Sequence, residues 1–461
     1  MSEMADNQPV TPSLNASFGN VFRIALPLVL ANSCRAINMF VDRLMLAKYS
    51  QDAVAAAFTG GLTQFAISCL LVGLIGYAGT FVAQYDGARQ PECIGRVVWQ
   101  GIWMGLAGSV LIGSGLWWSA PLFNMFGHTA EITAGEIRYF NILLLGSPVF
   151  LSSLALSCFW TGRSKTTTVM IISTAVTLCN IPINYLLIFG KFGAPELGVG
   201  GAAWGTVAAE AVGLLIYLAL FLRRSHRRGY RSGNCALDLP LMGRMIRFGL
   251  PSGIQLILDM VSFTTFSVLM GCYGAAVQEA TSIAFGINNL AFCPILGISQ
   301  AAAVLVGQAV GAHDIPAARK SVAHCLLVGL GYSLIMIVIF SLFQHLVLDP
   351  FVRPGDERQI SAMRDAGYML YFIAAYLLVD GFGIILSNAI RGAGDTSFCM
   401  WTMGICGLAC FALPCFVLYK LGFPWWALWI DFDLYIVLVA IIFSLRYRGG
   451  KWTRMRVIEN A

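Results

Sequence analysis

VAQYDGA at residues 82–88 and VGQAVGA at residues 306–312 lie 224 residues apart. Working outward from them, the same offset lays Arg23–Ala88 on Arg247–Ala312 without a gap, and 12 of the 66 positions meet identical residues. Among the matches are Pro27 with Pro251, Gly73 with Gly297, Gln84 with Gln308 and Gly87 with Gly311. This exceeds what the composition gives by chance. The chain is read as a duplicated unit, each copy closing its second long helix with a Gln-containing turn.

Composition says what kind of unit is duplicated. Of the 461 residues, 58% are hydrophobic and 11% charged, against about 45–50% and about 25% in soluble domains. So few charges cannot cover so much apolar surface. A soluble enzyme, a disordered chain, a collagen and a disulfide-stapled module are excluded. Long apolar runs with short polar breaks also argue against a β-barrel, whose strands alternate.

A helix needs about 20 apolar residues to cross the hydrocarbon core. The polar breaks leave twelve such spans, at 18–47, 53–85, 94–119, 131–160, 167–190, 199–222, 244–272, 278–311, 319–347, 362–390, 397–419 and 424–446. Several are long enough that they must tilt, bend or protrude. With a cytoplasmic N-terminus, 20 Lys and Arg fall inside and 7 outside, as the positive-inside rule asks. The net charge of +6 therefore sets topology and does not point to nucleic acid.

Six helices per half is an even number, so both halves enter the membrane the same way. The expected fold is an all-α polytopic membrane protein, twelve transmembrane helices in two six-helix lobes related by a pseudo-two-fold along the membrane normal. The expected organisation is an N-terminal tail at 1–17, an N-lobe at 18–222, a basic linker at 223–243, a C-lobe at 244–446 and a C-terminal tail at 447–461, with tails and linker cytoplasmic. Residues 1–16 lack the pattern of a cleaved signal peptide. The first apolar helix is expected to anchor the chain in the cell (inner) membrane. None of the 13 cysteines forms a CxxC pair, and they read as small buried hydrophobes. Two lobes in one chain make a monomer sufficient.

Charged groups inside the bilayer cost about 2.5–3.5 kcal/mol each and need a reason. Asp42, Glu210, Asp259 and Asp380 lie well inside spans. They do not obey the repeat: Asp42 falls on Phe266, and Asp259 falls on Arg35. One acid site per lobe, diverged in function, is expected. Asp42 reads either as a carboxylate for a proton or sodium ion, or as an ion-pair partner of Arg35 or Arg43. Asp259 and Asp380 read as a functional site or as hydrogen-bonded packing acids, and Glu210 stands between the two readings. Asp431 and Asp433 are expected at the membrane interface beneath Trp425, Trp426 and Trp429. The repeat-equivalent Pro27 and Pro251 each free a backbone carbonyl, and serve as a gate or a fixed kink.

These stretches together resemble the multidrug and toxic compound extrusion (MATE) family from about residue 20 to 446. INMFVDRLMLA (37–47) is similar to its first-helix Asp segment, and VAQYDGA and VGQAVGA to its paired helix-end motif. NIPINYLLIFGKFGAPELGVGGAAWGT (180–206) resembles its fifth-to-sixth-helix block, and RGAGDT (391–396) the motif after its tenth helix. The resemblance implies a cation-coupling site at Asp42 with Asn180, Asn184 and Thr206. Asn184 stands where archaeal members have Asp, which leaves this site less charged. It also implies a second site at Asp259, Tyr376 and Asp380, the pattern of the NorM-like branch. There the first acid is often Glu, so Asp259 shortens the reach. Tyr376 and Asp380, four apart, share a helix face.

The implied activity is secondary export of amphipathic, mainly cationic organic compounds in exchange for inward sodium ions or protons. No cofactor is expected beyond the coupling ion, with sodium at Asp42 or at Asp259 and Asp380. The partners are small organic cations and the bilayer. An enzyme is disfavoured by the absence of GxxxxGK[ST], HExxH and GxSxG motifs. The alternatives inside transporters are a lipid-linked precursor or polysaccharide flippase and a metabolite exporter.

Overall fold

The computed structural model describes residues 17–349 and 357–459. The N-terminal tail before Ser17 lies outside the described residues. The first half comprises α1 (Phe18–Tyr49), α2 (Gln51–Gly76), α3 (Ala78–Gly87), α4 (Pro91–Gly113), α5 (Gly115–Asn124), α6 (Ala130–Thr161), α7 (Thr166–Phe189) and α8 (Val199–Phe221). A short α9 (Arg224–Tyr230) leads to the second half: α10 (Leu239–Cys272), α11 (Ala275–Gly311), α12 (Ile315–Leu342), α13 (Gln344–Leu348), α14 (Glu357–Ala393), α15 (Thr396–Gly407), α16 (Leu413–Lys420) and α17 (Trp425–Arg448).

Among the described residues eleven helices, counting α2–α3 and α15–α16 as one each, are long and apolar enough to span a bilayer. The twelfth span is the pair α4–α5, bent by 46° at Ser114, where glycines on both sides loosen the backbone. The second span breaks at Tyr77, whose hydroxyl leaves the half and donates to the Arg391 carbonyl at 3.0 Å. Between α15 and α16 the chain passes through a π-helix at Leu408–Ala412. Pro414 follows it, and lacks the N–H that an α-helix would direct to Cys410.

Packing repeats between halves. α2 packs on α6 as α11 does on α14, α1 on α7 as α10 on α15, and α6 on α8 as α14 on α17. Across the halves α1 packs on α11 as α10 does on α2. This is the pseudo-two-fold expected from the offset. Pro27 and Pro251 are buried inside α1 and α10, which run on as single helices through them. The linker folds back on α4: Trp99, Trp103 and Gln100 donate to the carbonyls of Ser232, Cys235 and Ala236. α10 starts at Leu239, five residues before the expected 244, because Asp238 caps it by accepting from Leu241 N–H.

The halves meet most closely at the end that carries the basic residues. A Cβ on Gly87 would run into the Gln308 carbonyl, and one on Gly311 into that of Gln84. The two glutamines cross over. Gln84 donates to the carbonyls of Gly392 and Ala393 at 3.1 and 3.2 Å. Gln308 donates to Asp86 at 3.0 Å and to the Gly162 carbonyl at 3.2 Å. The C-terminal segment straps this end: Val457 N–H donates to Gln84, and Glu459 pairs with Arg244.

Candidate functional site

In the first half, α1 and α7 set the site. Asn184 Nδ2 donates to Asp42 Oδ1 at 2.6 Å and to Asn180 Oδ1 at 2.8 Å. Asn180 and Asn184 sit one turn apart on α7 and are both fully buried, so one amide group fixes the carboxylate and its neighbour together. Gly205 of α8 backs onto Asn184: a Cβ there would meet Asn184 Oδ1. That oxygen finds no hydrogen-bond partner among the described residues. Thr206 is not drawn into the cluster by a hydrogen bond, since its hydroxyl donates to the Ala202 carbonyl of its own helix. The oxygens of Asp42, Asn180, Asn184 and Thr206 are hard donors of the type a sodium ion prefers, by analogy with other hard cations.

No ion pair joins Asp42 to Arg35 or Arg43 among the described residues. Arg43 stacks on Phe58, 5.2 Å from its ring centre, and Arg35 lies in the field of Glu210. The ion-pair reading of Asp42 is thereby replaced by an amide cluster.

In the second half, Asp259 comes from α10 and Tyr376 and Asp380 from α14. The Tyr376 hydroxyl is buried with no partner among the described residues. Tyr435 of α17 lies within electrostatic reach of both Asp259 and Asp380 and so connects them. Asp433, expected at the membrane interface, lies within electrostatic reach of Tyr376 with its Oδ1 buried and unpartnered among the described residues; its neighbour Phe432 packs edge-on against the Tyr376 ring at 5.2 Å. Asp431 likewise accepts from Cys415 at 3.2 Å. Gln255, one turn before Asp259, accepts from Arg391 at 3.0 Å. Tyr435, Asp433 and Gln255 were the participants that sequence reasoning missed; the four-residue step from Gln255 to Asp259 was the one available signal.

A cavity of about 360 Å³ opens between the halves. The first half contributes α1 from Leu28 to Asn38 and parts of α2, α3, α6, α7 and α8, and the second adds Ser252, Leu256, Gln300, Asn388 and Arg391. Its charged lining residues are Arg35, Glu210 and Arg391. Glu210 is faced by the Ser153 hydroxyl. The acids at 42, 259 and 380 are not on this wall. They stand beside it, with Asp42 one helical turn from the lining Asn38.

A family model described as MatE matches residues 27–186 and 251–415, the two halves in register with the repeat. A probable multidrug resistance protein NorM of Pseudomonas putida is 28% identical, covering 96% of this chain and 96% of that one. The protein of that description in Rhizobium meliloti is 27% identical over 92% and 91%. The multidrug resistance protein MdtK of Edwardsiella ictaluri is 26% identical over 93% and 94%. Among solved structures, an outward-facing multidrug resistance MATE family transporter of the MOP superfamily superposes with a TM-score of 0.85 at 19% identity, covering 94% of this chain and 96% of that chain. The duplicated halves, their shared packing and these matches agree, and the chain belongs to the MatE family.

Proposed function

We propose that this chain is a secondary active exporter of amphipathic organic compounds, multidrug in scope, driven by inward flow of sodium ions or protons. The observation that carries the reading is the cavity between two pseudo-symmetric lobes, closed at its basic end by inter-lobe glycine contacts and flanked in each lobe by an acid site within the membrane. The basic end is taken as cytoplasmic, with both termini and the linker there, in the inner membrane. Lobes 18–222 and 244–446 rock about the closure, and a monomer suffices.

Exchange needs the ion and the cargo to favour different states. α1 is the element both can bias. Its outer part carries Asp42, and the turns below carry the lining residues Asn32, Arg35 and Asn38. α7 does the same with Asn180 and Asn184 beside the cavity wall at Val169–Thr177. An ion at Asp42 competes with the Asn184 amide for carboxylate oxygen and so acts on both walls. In the C-lobe, an ion at Asp259 or Asp380 would meet the free Tyr376 hydroxyl. Glu210 offers a cationic cargo a negative contact in the cavity itself.

The test is ethidium efflux from efflux-deficient cells after a sodium pulse and, separately, an external acid pulse. Recovery with one ion alone supports antiport and names the ion. Loss in Asp42→Asn alone places coupling in the N-lobe; loss in Asp259→Asn and Asp380→Asn places it in the C-lobe. If well-expressed wild type moves no cationic dye under either gradient, multidrug export fails and the flippase or metabolite-exporter reading replaces it.

A further inference from the structure

The two glutamines at the closed end are both satisfied across the seam, but by different kinds of partner. Gln308 of the C-lobe is gripped by the N-lobe alone. Its amide donates to Asp86 and to the Gly162 carbonyl, and its oxygen accepts from the Ser164 hydroxyl at 3.0 Å. Gln84 of the N-lobe donates to the carbonyls of Gly392 and Ala393 in the C-lobe. The turns TGRSKT (161–166) and RGAGDT (391–396) align on Gly162 with Gly392 and Thr166 with Thr396, which sets Ser164 against Gly394. Gly394 has no hydroxyl to offer. The oxygen of Gln84 accepts instead from Val457 N–H at 2.9 Å. The Val457 side chain takes up the space as well, since a Cβ on Gly394 would lie 3.0 Å from its Cγ1.

Val457 belongs to the segment that follows α17, and that segment is held at two points. At the near point Trp452 is buried in the C-lobe core, stacked on Tyr447 at 5.1 Å. Beyond it the chain is extended at Met455. Val457 and Ile458 are then buried in one cluster with Phe81 and Tyr85 of the N-lobe and Met245 of α10. Arg456 donates to the Gly311 carbonyl at 3.3 Å, beside the contact between Gly311 and Gln84. Glu459, largely exposed, pairs with Arg244 at 3.0 Å. Ser164 is fixed in the turn between two membrane helices and cannot leave its lobe. Its replacement is a short terminal segment held by a few backbone bonds, two aliphatic side chains and a surface ion pair, and such segments open at low cost.

We propose that residues 455–459 form a releasable latch on the seam between the lobes. They supply the donor that the C-lobe turn lacks at Gly394, and opening of the basic end requires them to unseat from Gln84. The N-lobe grip on Gln308 is permanent, whereas the grip on Gln84 is completed only while the tail is docked. The latch rests on the rocking of the lobes and is independent of which ion or cargo moves.

The test measures the distance between spin labels at positions 165 and 320, an exposed lysine of each lobe, in the full-length protein in nanodiscs. The labels are carried on a ketone-bearing amino acid, because the chain has 13 cysteines of its own. Val457→Asp is expected to raise the ratio of the longer to the shorter distance about tenfold over wild type, as the loss of one buried aliphatic side chain implies. Arg244→Glu and Glu459→Arg are each expected to raise it about twofold, and the double exchange to bring it back, which a misfolded variant could not do. An unchanged distance distribution in Val457→Asp, even with a lowered thermal midpoint, makes the tail static packing and overturns the latch. Charge reversals whose double exchange leaves the seam as open as the single changes overturn it too. Ethidium efflux by wild type is read separately, so the latch can fall while the export reading stands.

Discussion

The two acid sites of this protein occupy corresponding lobes and are built from different chemistry. In the N-lobe one carboxylate, Asp42, is held by a buried amide at 2.6 Å, and that amide is held by another. In the C-lobe three carboxylates, Asp259, Asp380 and Asp433, lie around two tyrosines; the Gln255 amide reaches Asp259, whereas Asp380 forms no hydrogen bond to an amide among the described residues. The first site is partly satisfied without an ion. Each also leaves two buried polar atoms unpaired among the described residues, Asn180 Nδ2 and Asn184 Oδ1 in the first and the Tyr376 hydroxyl and Asp433 Oδ1 in the second. A duplicated scaffold thus fixed where helices cross and left free what the crossings hold. One crossing holds a single carboxylate against an amide pair and the other gathers three carboxylates near two tyrosines, so a cation entering the C-lobe site meets more negative charge.

The largest expected effect tests whether the lobes contribute equally to the closed end. Gly87→Val and Gly311→Val should each abolish dye efflux, because either side chain meets the opposite lobe's backbone. Gly243→Ala, with open space around it and away from the cavity, should retain efflux. A Gly311 variant that transports normally would break the symmetry of the closure.

Next comes a difference between the turns TGRSKT (161–166) and RGAGDT (391–396). The C-lobe turn carries Asp395, almost fully buried, and Arg446 donates to it twice, at 2.7 and 2.8 Å. Removing one partner of a buried pair costs about 3–5 kcal/mol. Asp395→Asn should lower the thermal midpoint strongly, while Lys165→Ala in the N-lobe turn should stay within about 0.5 kcal/mol. Equal shifts in a melting assay would remove this distinction.

Within the acid sites, Asn184→Ala takes away the charge-assisted bond to Asp42. A loss of about 1.5–3 kcal/mol is expected, read from denaturation in detergent. Sodium should recover part of it if the ion sits at Asp42. The smallest effect belongs to Tyr376→Phe. Removing a buried hydroxyl that has no partner should leave stability unchanged or raise it by about 1 kcal/mol. Ion-driven efflux should nonetheless fall if the C-lobe couples. A clear destabilisation would mean that this hydroxyl is already satisfied in the resting protein.

Much of the fold was legible in the chain itself. The 224-residue offset, the apolar run lengths and the placement of Lys and Arg foretold two like lobes, because helix length and bilayer thickness are matched quantities and a duplicated sequence repeats its packing. The acids at 42, 259 and 380 were visible as costly charges in apolar runs, and the four-residue spacing of Tyr376–Asp380 showed which face they share; Asn180 and Asn184 came from the family resemblance. What faces those faces was not written locally. That Asn184 reaches Asp42 depends on α7 packing against α1, 142 positions apart in the chain. Asp433 reads as interfacial beside three tryptophans, and its proximity to Tyr376 of α14 comes only from the packing of α17 on α14. The sign of charge in the cavity needed the tertiary structure most. Counting residues in the spans gives an excess of acids, but Arg35 and Arg391 reach the wall while Asp42, Asp259 and Asp380 stay behind it. Periodicity assigns a side chain to one face of its own helix; the neighbour that face meets is decided by how the two lobes close.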